Sequence, residues 1–211
     1  MKNICTLTIF FLLFISSISY SVELTPFYGF RNGGDFDDNA NDDTDATTKN
    51  TATIDNSAIY GLLLSFPYER GKTIEVYYSH QSTDLSSVDV TTPVAITLES
   101  IPLTIDYLHI GGTAPITEEK NLLTFVSGGM GFTYMNPDFP DAQSELRPSF
   151  SLGVGLKWPI TQSIALRLET RGLATLFNNN SALFCNGGCN LQVSGSGFVQ
   201  IEVFAGIALK F

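Results

Sequence analysis

The sequence predicts an all-β chain, folded as an eight-stranded antiparallel up-and-down transmembrane β-barrel. Three observations predict it. Strand-like segments recur eight times, most of them 9–13 residues long, the length a tilted strand needs to cross a bilayer. Long and short connections alternate strictly between them. The last segment, Gln200–Phe211, is apolar at every second residue and stops on an aromatic, which is the period of a strand with one greasy face.

The first residues read as an export signal. Lys2 gives a short positive start, Ile4 to Ile18 is almost unbroken apolar sequence, and Ser19 and Ser21 are small residues suited to cleavage after Ser21. An N-terminal anchor is the competing reading, but the run is shorter than the roughly 18 residues of a spanning helix. No cysteine follows at a lipoprotein-type position. The expected domains are therefore a signal peptide at 1–21 and one barrel domain at 22–211. Losing Lys2 takes the net charge from −10 to −11, which argues against nucleic acid as a partner. Cys5 leaves with the signal. Cys185 and Cys189 remain, an even pair in an exported chain, and read as a disulfide. A metal site would need two more ligands, and the two histidines, His80 and His109, are distant in sequence.

The strands are expected at about 22–31, 57–66, 72–82, 103–113, 122–134, 148–158, 163–175 and 197–211. In the first, Leu24, Pro26, Tyr28 and Phe30 alternate with Glu23, Thr25, Phe27, Gly29 and Arg31. In the third, Ile74, Val76 and Tyr78 alternate with Thr73, Glu75, Tyr77 and Ser79. In the sixth, Phe150, Leu152, Val154, Leu156 and Trp158 alternate with Ser149, Ser151, Gly153, Gly155 and Lys157. In the seventh, Ile164, Leu166 and Leu168 alternate with Arg167, Glu169 and Arg171. The segments 103–113 and 122–134 do not separate into two clean faces. Long connections are expected at 32–56, 83–102, 135–147 and 176–196. The short ones, 67–72, 114–121 and 159–162, each carry a proline among polar residues.

Aromatics mark both ends of the strands. Phe66, Tyr68, Trp158 and Phe211 fall at one rim, and Phe30, Tyr78, Tyr134, Phe150 and Phe177 at the other, as two membrane interfaces require. A soluble lipocalin-like barrel has the same strand count with its apolar face inward. The aromatic ends, the alternating connections and the terminal Phe211 favour the membrane form. On these features, and on the closing Ile207-Ala-Leu-Lys-Phe211, the chain resembles the small eight-stranded outer-membrane barrels, the OmpA/OmpX-like group. The resemblance covers 22–211. It implies a bacterial outer-membrane location, extracellular long loops, periplasmic termini, and contact with outer-membrane lipid and lipopolysaccharide. It also implies that Phe211 serves as the assembly signal for the barrel-assembly machinery. Unlike OmpA proper, no periplasmic peptidoglycan-binding domain is expected after Phe211.

Four constellations are candidates for function. Arg31, Glu75, Lys157, Arg167, Glu169, Arg171, Glu202 and Lys210 share the mixed face. Inside eight strands there is room only for side chains, so these charges are expected to pair as a plug, with a narrow conduit as the alternative. Asp35, Asp37, Asp38, Asp42, Asp43 and Asp45 crowd the first long loop. They read as a solvated acidic segment, with hard-cation binding as the alternative. His80 and Ser82 lie two apart on the lipid-facing side. This His-x-Ser pair resembles the catalytic pair of the lipid A deacylases, which implies an orienting acid, with Glu99 or Asp84 as the available carboxylates. A polar strand end at headgroup level is the plainer reading. The Cys185–Cys189 ring would shape the fourth long loop. No cofactor is expected. The role expected is structural or surface-directed, with an unknown surface ligand. A lipid A-modifying hydrolase or a small-solute conduit is the alternative.

Overall fold

The computed structural model describes residues 21–34, 53–91, 95–119, 121–138, 142–177 and 197–211. Residues 1–20 of the predicted signal, the six aspartates of the first loop, Cys185 and Cys189 lie outside these residues. Period-2 patterning becomes strands β1 (Glu23–Asn32), β2 (Thr53–Ile54), β3 (Ser57–Pro67), β4 (Thr73–Thr91), β5 (Ala95–Glu119), β6 (Leu122–Pro137), β7 (Glu145–Pro159), β8 (Ile164–Leu176) and β9 (Gly197–Lys210). β2 is a two-residue strand laid on β4. The other eight pair antiparallel in sequence, and β9 returns to pair with β1. Within the barrel wall each of these eight strands is paired on both sides, as a spanning sheet requires.

The faces fall as the alternation predicts. Leu152, Val154, Ile201, Val203 and Ile207 are exposed on the outer wall, while Arg167, Glu169, Phe204 and Glu202 are buried inside. The two strands with unclear faces also resolve. Leu108, Ile110, Met130 and Phe132 point out, and Ile105, Tyr107, Phe125 and Met135 point in.

Three expectations change. The segment 83–102 is not a long loop. β4 and β5 continue pairing from Thr83↔Leu103 to Thr91↔Ala95 as a hairpin extending past the other strands. Its Ser, Thr, Val and Ile residues favour extended backbone. The 114–121 turn is tighter than expected, because β5 runs through Pro115 to Glu119 with a register shift at Pro115/Thr117. Phe177 is not a rim aromatic: it is buried and stacks on Phe198 inside the barrel, ring centroids 5.6 Å apart.

At the short-turn end, Pro67 leads into a 3-10 turn at Glu69–Gly71. Gly71 there has φ +75°, a conformation that disfavours any side chain. At the opposite end the lumen holds an apolar cluster. Ile54 of β2, opposite Leu85 on β4, is buried in one cluster with Leu85, Ile101, Leu103, Ile105, Met135, Leu173, Phe177 and Phe198. Polar groups share this end with that cluster: Thr83, Thr133 and Thr175 are buried there, and Arg147, paired with Glu145, stacks over Phe177.

Candidate functional site

The mid-lumen charges are set by β1, β4, β8 and β9, whose inward residues come every second position. Arg31 and Glu202 face each other across the β1–β9 pair. The Arg31 guanidinium donates to Glu202 at 2.6 Å, to Gln81 at 3.1 Å and to Ser79. The Tyr77 hydroxyl donates to the other Glu202 oxygen. Glu202 also sits opposite Arg171 in register, yet its ion pair is with Arg31. Arg171 turns to Glu169 at 2.7 Å. Glu169 holds Arg167 as well, at 2.6 Å, and accepts from Ser127. Arg167 completes a two-pronged pair with Glu75 at 2.6 and 3.0 Å. Lys157 pairs with Glu23 nearer the short-turn end. Lys210 is exposed at that end.

Aromatic rings fill what the charges leave. Arg31 lies over Tyr107 at 4.7 Å, Arg171 over Tyr77 at 4.2 Å and Arg167 over Phe125 at 4.7 Å. The delocalised guanidinium suits such stacking. Room for Phe125 comes from Gly155, where an added Cβ would meet the ring at 2.3 Å. His109, which sequence reasoning left unassigned, is buried between Ser149 and Ser151 at 2.8 and 3.0 Å. A cavity of about 290 Å³ opens at the short-turn end, lined by Glu23, Ser65, Thr73, Lys157 and Lys210 among others; Glu75 and Arg167 are not in its lining. Among the described residues, polar and aromatic side chains fill the middle of the lumen above it.

His80 and Ser82 point outward from β4, as predicted. The acid that meets His80 is not Asp84, and the side chain of Glu99 lies outside the described ones. That acid is Asp106, the register partner of His80 on β5. Asp106 Oδ1 lies 2.7 Å from His80 Nδ1, and His80 Nε2 lies 3.2 Å from Ser82 Oγ. The Tyr78 hydroxyl donates to the same Asp106 oxygen at 2.9 Å, and the Tyr60 ring lies 4.9 Å from the imidazole. Asp84, one outward position beyond Ser82, accepts from Ser100 at 3.1 Å. Sequence reasoning missed Asp106 because a cross-strand partner depends on register, and 26 residues separate the two.

One register row carries Tyr28, Tyr60, His80, Asp106 and Tyr134 around the wall. The three tyrosines are 65%, 57% and 41% exposed, which marks this row as an interfacial belt. Below it, toward the short turns, come Leu62, Tyr78, Leu108 and Phe132, then Leu64, Val76, Ile110 and Met130.

No protein-family model and no curated protein matches the sequence. Solved structures do match the fold. The barrel is similar to Neisserial surface protein A, with a TM-score of 0.58 and 8% identity over 90% of this chain and 97% of that one. It is also similar to the outer-membrane protein OprG from Pseudomonas aeruginosa, with a TM-score of 0.53 and 10% identity over 91% and 96%. A closed eight-stranded wall with a greasy outside, an ion-paired inside and these structural likenesses is the fold of the small outer-membrane β-barrels.

Proposed function

We propose that this protein is an integral protein of the bacterial outer membrane with a structural or surface-directed role, and that it does not conduct solutes. In this reading the long connections and the β4–β5 hairpin face the cell exterior. The short turns and both ends of the barrel domain lie on the periplasmic side. Outer-membrane lipid and lipopolysaccharide meet the exposed apolar wall, and the assembly machinery meets β9 with Phe211.

The observation that carries the reading is the packed lumen. Arg31, Arg167 and Arg171 are buried with their carboxylates and stacked on aromatic rings. A solute or ion would have to break pairs whose partners have no water to fall back on. The apolar cluster around Ile54 adds a second closure. What is left for interaction is the surface, where the long hairpin stands beyond the barrel wall. Purified, folded protein in planar bilayers is expected to be electrically silent. Discrete, reproducible conductance steps would overturn the reading.

A further inference from the structure

We propose that Ser82, His80 and Asp106 form a catalytic triad on the outer wall, cleaving acyl esters of lipids that carry a zwitterionic ammonium headgroup. This goes beyond a structural or surface role and uses none of the lumen residues. The two histidine nitrogens are assigned as such chemistry requires: one faces an acid, the other a hydroxyl. Asp106 on Nδ1 fixes the ring so that Nε2 faces Ser82 and can take its proton. Tyr60 and Tyr78 hold the imidazole and the carboxylate from two further sides.

The reaction balances with water as the only co-reactant. Ser82 Oγ attacks the ester carbonyl carbon while His80 Nε2 accepts the hydroxyl proton. The carbon–oxygen bond to the lipid alcohol breaks, and His80 gives its proton to that oxygen. Water then attacks the acyl-serine, passing a proton to His80, which returns it to Ser82 as the fatty acid leaves. Thr104, the register partner of Ser82 on β5, puts a hydroxyl donor on the same face for the developing oxyanion.

Location and charge define the substrate. The triad sits in the tyrosine row, at the depth of headgroups and ester linkages rather than of acyl tails. The charges there are acidic. Asp84 stands one outward position above Ser82, and Asp55 is tied to Ser86 nearby. The described arginines of this half turn away: Arg31 and Arg171 are buried in the lumen, and Arg147 stacks over the lumenal Phe177. Among the described residues, a polyphosphorylated lipid would meet carboxylates and no cation turned toward it. An ammonium headgroup would meet Asp84 while its ester lies at Ser82.

The test uses folded protein in mixed detergent micelles with phosphatidylethanolamine or phosphatidylglycerol of identical acyl chains, p-nitrophenyl butyrate and a fluorophosphonate. All variants must first show the mobility shift of a folded barrel. Fatty-acid release from phosphatidylethanolamine is expected, falling at least about 10³-fold in Ser82→Ala and in His80→Ala. Asp106→Asn should lower it about 10²–10⁴-fold. The ethanolamine-to-glycerol preference should fall about fivefold in Asp84→Asn, the size of one partly exposed charge contact. No hydrolysis of any ester together with no fluorophosphonate adduct at Ser82 overturns the triad, as does hydrolysis unchanged in Ser82→Ala. Ser82-dependent hydrolysis of p-nitrophenyl butyrate and the glycerol lipid, but not of the ethanolamine lipid, overturns the headgroup assignment and leaves the triad standing.

Discussion

Glu169 is the side chain on which the lumen depends most. It accepts from Arg167, Arg171 and Ser127. Replacing it with alanine takes the close carboxylate from the buried Arg171 and leaves Arg167 with Glu75 alone. Glu169→Ala is expected to cost about 3–5 kcal/mol, read as a lowered urea midpoint for loss of the fast-migrating folded band on unheated gels. Gly155 tests packing in place of charge. Gly155→Ala puts a methyl group into Phe125, at an expected cost of about 1–3 kcal/mol. Phe125→Leu in the same molecule should recover part of that loss, since the nearest clashes are with the ring. Independent, additive losses would show that Gly155 serves the backbone and not the ring. These pairings illustrate what a sequence withholds. That Glu169 and Arg167 share a face follows from spacing. That Arg31 takes Glu202 while Arg171 takes Glu169 depends on which side chain reaches first across a curved wall, and no one-dimensional pattern encodes that.

At the scale of elements, strand number and facing were legible because lipid enforces a strict rule. Every second residue of β1, β7 and β9 must be apolar, so alternation is visible to the eye. The rule stops at the membrane surface, and legibility stops with it. Beyond Ser82 and Thr104, β4 and β5 have water outside, so Ser, Thr and Asp alternate with Val and Ile in no diagnostic way, and the hairpin reads as a loop. Phe177 shows the converse failure. An aromatic near a rim can face lipid or lumen, and only its stacking on Phe198 decides. The hairpin should be separable from the barrel. Replacing residues 87–99 by a short Gly-containing turn keeps Ser86 and Ser100 in register and retains Leu85 and Ile101 in the apolar cluster. The shortened protein is expected to keep its heat-modifiable mobility while losing whatever surface contact the hairpin makes. Failure to fold would assign the hairpin a role in forming the β4–β5 pair.

For the whole molecule, orientation is the property that joins fold to role. With Cys185 and Cys189 changed to serine, Ser100→Cys on the hairpin should react with a membrane-impermeant maleimide on intact cells, and Arg70→Cys on the short turn only after lysis. The opposite pattern would invert the topology proposed above. The seam between β1 and β9 carries a further consequence, one of timing. Arg31 and Glu202 are 171 residues apart in sequence but directly opposed across that seam. A chain that has laid down β1 through β8 still holds an arginine without its carboxylate, in a half-built wall that lipid surrounds. Such an intermediate is penalised until the two ends of the sheet meet. Closure then satisfies the charge in the same step that removes the last unpaired backbone edges, which makes the finished cylinder a poor candidate for gradual unzipping and a good one for all-or-none assembly.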